Sequence, residues 1–399
     1  MMSQYIETGK IIIYQLASSG YEAFFVGGFV RDYVLGIPYN DIDITTNATP
    51  EDVKRLFPNT KDTGLRYGTV TVFYPPFSYE VTTYRKDGLY EKHRKPLQID
   101  FASSLEEDCR RRDFTINAMA MSAEGIISDF FGGKADLASH LIRAIGNPYE
   151  RFEEDALRIL RAFRFVSKLN FDIEETTYQA ICEKKHLLKQ LPSERILQEF
   201  QAIFGYNHLS KAIRYLCQSG VHEVFESLRN GFILASEQEN LELDLLSFFA
   251  LSFVLYDGVI PTTFRFSNKE RQLIERLMML VEVTSQDTFN EMIVYANGLS
   301  LCLQANKINR IIDSNNNQEE RIIDLYQSMP IHKTCDLAYK GDHMIADGLS
   351  KNAKIIGDII DDLIYQVIMK HLPNDFETLR EYTWKHWLTK LDKKESQDE

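Results

Sequence analysis

The chain has 399 residues, 44% of them hydrophobic, with 20 glycines, 11 prolines and five cysteines, a composition that excludes disordered, collagen-like and disulfide-stapled chains. At roughly 100–200 residues per domain, the length predicts two to four domains. Lys and Arg number 45 against 58 Asp and Glu, a net charge of −13 concentrated in residues 231–399, so any polyanionic partner has to be met by a local basic stripe.

No apolar run reaches the roughly 18 residues of a membrane-spanning helix, and the opening MMSQYIETGK lacks the regions of a secretory leader, so a cytoplasmic chain with no membrane partner is expected. Residues 1–147 read as an α+β unit. A helix around Ile6–Ser18 is followed by the strand-like YEAFFVGG, the helix VRDYVLG, the strand DIDIT and the helix TPEDVKRLF, capped by Thr49. GTVTVFY and SYEVTTYR alternate polar and apolar residues, which predicts a sheet containing antiparallel strands with flanking helices. From residue 148 onward the 3.6-residue period dominates, and punctuation near Asn147-Pro148, Gly205, Gly258 and Asn315–Gln318 divides this helical part into about three pieces. The last eight residues, DKKESQDE, read as a frayed tail.

Chemistry concentrates in Val26-Gly27-Gly28-Phe29-Val30-Arg31-Asp32 and, nine residues after Asp32, Asp41-Ile42-Asp43. Alternation along a strand puts Asp41 and Asp43 on one face, with Ile42 and Ile44 packed on the other. Two carboxylates aimed at one point repel, and a hard divalent cation, magnesium by preference, is the usual resolution. Glu80, on an alternating strand, is a third acid for the same cluster. The strand–Gly27-Gly28–helix turn offers backbone amides to phosphate oxygens, with Arg31 adding a mobile charge. Three carboxylates, two metal ions and a nucleotide tail suit in-line nucleotidyl transfer.

Further along, RRDFTINAMAM places Arg111 and Arg112 at an expected helix start capped by Asp113, with Glu106 and Asp108 as local carboxylates. DFFGGKADL reads as a turn between the first unit and the helical part. On a helix starting near Glu154, Ala156, Ile159, Leu160, Phe163 and Val166 gather on one side, leaving Glu154, Asp155, Arg158, Arg161, Arg164 and Lys168 elsewhere. Asp155 and Arg158, one turn apart, can lie edge-on to one base as acceptor and forked donor, although an i,i+3 ion pair on a solvated helix has the same spacing. SERILQEF, with Ser193 as cap, reads as a packing element.

These segments in order, GGFVRD…DID, RRDFTINAMAM, DFFGGKADL, EEDALRILRAFRF and SERILQEF, resemble the five motifs of class II tRNA nucleotidyltransferases, the bacterial CCA-adding enzymes and their poly(A) polymerase relatives. The resemblance implies a DNA polymerase beta-like head over 1–147, a nucleotide-selecting neck over 148–205, a body over 206–290 and a tRNA-binding tail over 291–399. It implies Asp41 and Asp43 as catalytic magnesium ligands joined by Glu80. Gly28, Arg31 and Arg112, with Asn117 as helper, would meet the nucleotide; Glu154, Asp155 and Arg158 would act as an amino-acid template, with Arg161 and Arg164 contacting nucleotide or nearby backbone. CTP, ATP and tRNA follow as substrates and a homodimer as the assembly. A loop like Asp87–Pro96 would let the pocket pass from CTP to ATP; His93 has no assigned role. In the tail, Lys307, Arg310, Lys351 and Lys354 are candidate tRNA contacts. Two alternatives remain: a poly(A) polymerase or partial CC- or A-adding enzyme with the same head, and a non-catalytic RNA-binding protein on the same scaffold. The acidic C-terminal part and the intact loop favour full CCA addition.

Overall fold

The computed structural model describes residues 2–64, 68–86, 100–349 and 352–395, so the expected 87–96 loop and Lys351 lie outside the described residues. Contacts divide the chain into two units, Met1–Leu241 with Pro261–Arg265, and Glu242–Ile260 with Phe266–Glu399.

The first unit starts with α1 (Met2–Ser18), β1 (Ala23–Val26), α2 (Gly28–Leu35), β2 (Asp43–Thr46) and α3 (Pro50–Leu56). Thr49 closes a full capping box with Asp52, satisfying two backbone donors at the start of α3. β3 (Thr60–Gly64), β4 (Thr69–Tyr74) and β5 (Phe77–Thr83) follow, then the short pair β6 (Arg85–Lys86) and β7 (Asp100–Phe101), α4 (Leu105–Arg110), β8 (Met119–Met121) and β9 (Ile127–Asp129). Seven strands form one sheet in the order β3-β4-β5-β2-β1-β8-β9. Its pairs are antiparallel except β2–β5, which run parallel because a helix and two strands intervene between them. Phe25, Ile44, Val70, Val81 and Met119 are buried by this sheet, as their alternation requires.

Two motif expectations change here. Arg111 and Arg112 follow the C-terminal end of α4 instead of opening a helix, with Arg111 as its C-cap. The DFFGGKADL turn leads into α5 (Gly133–Ala138), where a Cβ on Gly133 would come within 2.4 Å of the Thr115 carbonyl oxygen, so this packing admits only glycine.

β10 (Leu141–Ile142) pairs with β11 (Asp172–Ile173), and around them come α6 (Pro148–Glu154), α7 (Leu157–Leu169), α8 (Glu175–Lys184), α9 (Ser193–Phe204), α10 (Leu209–Gln218) and α11 (Arg229–Ser236). The expected apolar stripe Ala156, Ile159, Leu160, Phe163 and Val166 is fully buried. The helix expected from Glu154, however, is interrupted: Asp155 is extended (φ −143°, ψ 102°) between α6 and α7, and its carboxylate accepts the Leu157 N–H at 3.1 Å. An aspartate that captures a backbone amide two residues on competes with helical hydrogen bonding and starts the chain anew. Pro192, not Ser193, occupies the cap of α9.

The second unit is helical: α12 (Leu245–Val254), α13 (Asn268–Gln286), α14 (Glu291–Ile312, kinked at Gly298), α15 (Glu319–Ser328), α16 (Gly341–Ala346), α17 (Ala353–Ile368) and α18 (Phe376–Glu395). α18 continues to Glu395, into the segment expected to fray. Lys307 pairs with Glu242 at 3.2 Å and Arg310 with Glu319 at 3.6 Å. Among the described residues, no helix is long and apolar enough to cross a membrane.

Candidate functional site

At the end of β1 the chain turns through Gly27 (φ 72°, ψ −140°), a conformation that favours glycine. A Cβ there would stand 3.1 Å from Arg112 Nη1 and 3.5 Å from Asp43 Oδ2, so the missing side chain leaves room for both groups. Register places Asp43 opposite Val26 on β1 and opposite Glu80 on β5. Asp41 lies two residues before Asp43, just ahead of β2, while Ile42 and Ile44 are buried on the other side. Three carboxylates are thus neighbours, and Asp43 feels it. Burial raises its pKa to about 6, Arg112 opposes the rise, and the charges of Glu80 and Asp41 add to it. Among the described residues no three His, Cys, Asp or Glu side chains form a ready-made cage. The donor chemistry nevertheless fits a hard cation: carboxylate oxygens only, with one group held reluctant to ionise by burial and by neighbours of its own sign.

The rest of the lining is basic. Arg31, expected to be mobile, is 3% exposed and fixed: its Nε and Nη2 reach Asp32 Oδ1 at 2.7 Å, and its Nη1 reaches Asn117 Oδ1 at 2.7 Å. A buried cation needs such partners, so position and not mobility is what it contributes. Asp108, at 0% exposure, receives Arg111 at 2.6 Å and Arg112 at 3.1 Å, together with the Arg85 backbone N–H at 3.1 Å. Burial opposes its ionisation, but Arg112 and Arg111 outweigh that and hold it down at about 2. Asp113 pairs with Arg161 at 2.5 Å and accepts from Asn117 at 3.0 Å, which holds its carboxyl well below the usual range despite burial. Glu199 on α9 lies 3.8 Å from Arg161 and 3.7 Å from Arg164.

Asp155 and Arg158 do not face each other as an ion pair. Asp155 Oδ2 accepts from Arg195 at 2.9 Å. Arg158, 8% exposed, donates to the carbonyls of Arg151 (2.9 Å) and Arg111 (3.1 Å) and to Glu154 (2.7 Å). Glu154 also pairs with Arg151.

Acids and arginines share one cavity of about 840 Å³ in the first unit. Of the residues expected from sequence, Gly28, Arg31, Asp41, Asp43, Arg112, Asp155, Arg158, Arg161 and Arg164 line it. Glu80 and Glu154 are not part of this lining; Glu80 is beside Asp43 and Glu154 pairs with Arg158. Arg111, Asp113, Lys168, Arg195 and Gln198 also line it, although sequence reasoning gave them no role at the site. For Arg195 and Gln198 the signal was present: they lie three residues apart, on one polar stripe of α9.

Paired carboxylates at the start of the central strand of the sheet, in a nucleotide-sized cavity shared with an arginine-rich helical wall, define a nucleotidyltransferase head. The poly A polymerase head domain family matches residues 23–143, and tRNA nucleotidyltransferase domain 2 matches residues 261–383. The chain is 36% identical over 380 residues to the CCA-adding enzyme of Lactobacillus helveticus (93% of this chain, 95% of that one) and 33% identical over 389 residues to that of Streptococcus pyogenes (93% and 94%). The Bacillus stearothermophilus CCA-adding enzyme in complex with CTP superposes with a TM-score of 0.79 at 29% identity, over 98% of this chain and 99% of that one. The Thermotoga maritima CCA-adding enzyme complexed with tRNA shares the fold at a TM-score of 0.67 and 23% identity, covering 93% of each chain. The chain belongs to the CCA-adding enzyme family of tRNA nucleotidyltransferases, enzymes that normally depend on a metal ion.

Proposed function

We propose that the chain adds and repairs the 3′-terminal CCA of tRNA, taking CTP and ATP in turn without a nucleic-acid template. The observation that carries this reading is the single cavity joining Asp41 and Asp43 to Asp155 and Arg158, in a chain of this family.

Asp41 and Asp43, with Glu80 beside them, would hold magnesium. When bound, the ion supplies activation of the RNA 3′-hydroxyl and neutralises charge on the departing diphosphate. The residues of the chain itself do the rest. The Gly27–Gly28 turn and the α2 N-terminus offer amides to the triphosphate, and the fixed Arg31 and Arg112 lie along the same wall as donors to phosphate and ribose. The terminal 3′-oxygen bonds to the α-phosphorus as the bond to diphosphate breaks.

Base choice falls to Asp155 and Arg158. Although Asp155 already receives Arg195 and the Leu157 amide, a carboxylate has about four acceptor positions. An acceptor can therefore still meet the exocyclic amine of cytosine or adenine, while Arg158 donates to ring acceptors. Guanine and uracil bring a carbonyl to that point, and the unpaired group costs about 1–3 kcal/mol. Arg161 and Arg164 continue the basic wall toward the RNA backbone. Phosphate contacts and RNA shape, not bases, would hold the tRNA, with head, neck, body and tail dividing near residues 147, 205 and 290.

The test is extension of a tRNA lacking its 3′ end with labelled CTP, ATP, GTP or UTP in magnesium. Incorporation of C and A alone, stopping after three additions, is the expected result. A long A tail would make the chain a poly(A) polymerase, and no product at all would leave an RNA-binding protein.

A further inference from the structure

The motifs leave out the first helix, yet α1 reaches the carboxylates. Tyr5, one turn into α1, donates its hydroxyl to the Ser78 carbonyl at 2.9 Å. Tyr79 donates its own hydroxyl back to the Tyr5 carbonyl at 2.6 Å. These reciprocal bonds span 73 and 74 residues of sequence and tie α1 to the stretch of β5 that runs directly into Glu80. The Tyr5 ring stacks on Phe77 with centroids 4.7 Å apart at 19°, and lies tilted against Tyr79 at 5.0 Å, so the phenol is fixed in direction. Gly9, one turn further, lets the helix sit close, since a Cβ there would come within 2.7 Å of the Phe25 ring.

The same helix also packs on the other acidic strand, β2. Burial raises the pKa of the Tyr5 phenol, and the charges of Asp41 and Asp43 raise it further. The hydroxyl therefore stays protonated while it holds the carbonyl two residues before Glu80. Three carboxylates of one sign push their strands apart, and metal ligands work only when held to within about 0.5 Å.

We infer that Tyr5 is a positioning residue for the metal-holding carboxylates: by bonding the chain at Ser78 it locks α1, which packs on both β2 and β5, and so holds Glu80 in place beside Asp43. This rests on the reading that those acids hold the ion. Groups that orient metal ligands typically contribute about 10–100-fold to metal affinity.

The experiment titrates manganous ion alone into the full-length chain and its Tyr5→Phe variant, reading free ion by electron paramagnetic resonance and recording melting temperatures. Binding about tenfold or more weaker in Tyr5→Phe, with the melting temperature kept, is the expected result. Uptake by the native chain that is unchanged in Tyr5→Phe overturns the role of Tyr5 alone. No uptake by the native chain overturns the carboxylate reading and this inference together. Should Tyr5→Phe melt lower, Ile13→Val, a core change in the same helix, is the reference. Equal loss of metal affinity at equal loss of melting temperature would reduce Tyr5 to packing and overturn the proposal.

Discussion

The acids and the arginines that line the cavity carry opposite charge and are kept in opposite states. At the start of the central strand β2, burial, with Glu80 and Asp41 for neighbours, raises the Asp43 pKa to about 6. At the helical wall, anions with little or no exposure sit behind the arginines: Asp108 behind Arg111 and Arg112, and Asp113 behind Arg161. The protein therefore completes its own electrostatics on one side and leaves them incomplete on the other. The incomplete side calls for an added cation. The complete side has fixed orientation, which discrimination between similar bases requires.

The sharpest way to break this contrast is to remove charge from the incomplete side. Asp43→Asn keeps size and should lower incorporation of labelled CTP by on the order of 10³–10⁴-fold, with no loss of melting temperature. Comparable activity in the variant would sink the carboxylate assignment. On the complete side the same kind of change should act on the fold. Asp108→Ala strands two arginines and a backbone amide, and breaking a buried pair costs about 3–5 kcal/mol, measurable by denaturant unfolding. A third change sharpens the comparison without unfolding anything. Arg195→Leu releases Asp155 Oδ2, so the preference for C over U should shrink by an amount equivalent to about 1–3 kcal/mol, while total C incorporation falls less. Single-addition assays with CTP and UTP read that ratio, and equal slowing of both would argue against Asp155 as base selector.

The carboxylate strand was more legible in sequence than the helical wall, and the reason is physical. Period-two alternation assigns faces within a strand, so Asp43, Ile42 and Ile44 point as expected from DIDIT alone. What alternation could not give is the partner strand, and the parallel β2–β5 pair that sets Glu80 beside Asp43 appears only in three dimensions. Helical periodicity likewise gave the buried stripe of α7. It missed the break at Asp155, because one side chain capturing the Leu157 amide overrides the propensity around it. Arg195 went unread for a further reason: its partner Asp155 is 40 residues away, and no local pattern encodes that pairing. Arg31 was located but misjudged, since burial depends on Phe165, Asp32 and Asn117 closing over it.

Acid titration of stability gives the smallest effect and separates the two sides by sign. Asp108 is held at about 2, below the ordinary carboxylate value of about 3.9, so its contribution is present at neutral pH and is lost as pH falls from about 4 through about 2. Asp43 works the other way. Its native carboxyl binds a proton more readily than the unfolded one, so the native state loses stability as pH rises from about 4 to about 6. Replacing Asp43 by Asn removes only that second limb. The variant should be more stable than the native chain at pH 7 by about 1–2 kcal/mol, allowing for partial solvent screening, and the difference should shrink to a constant below pH 4. Magnesium should close the same gap from the other direction, by binding the folded native chain and not the variant, so that at neutral pH added ion raises the native melting temperature alone. Urea unfolding across pH 3–8, with and without the ion, measures both. A gap that neither depends on pH nor responds to magnesium would show that the buried charge of Asp43 at the start of β2 is not what distinguishes it from the arginine wall.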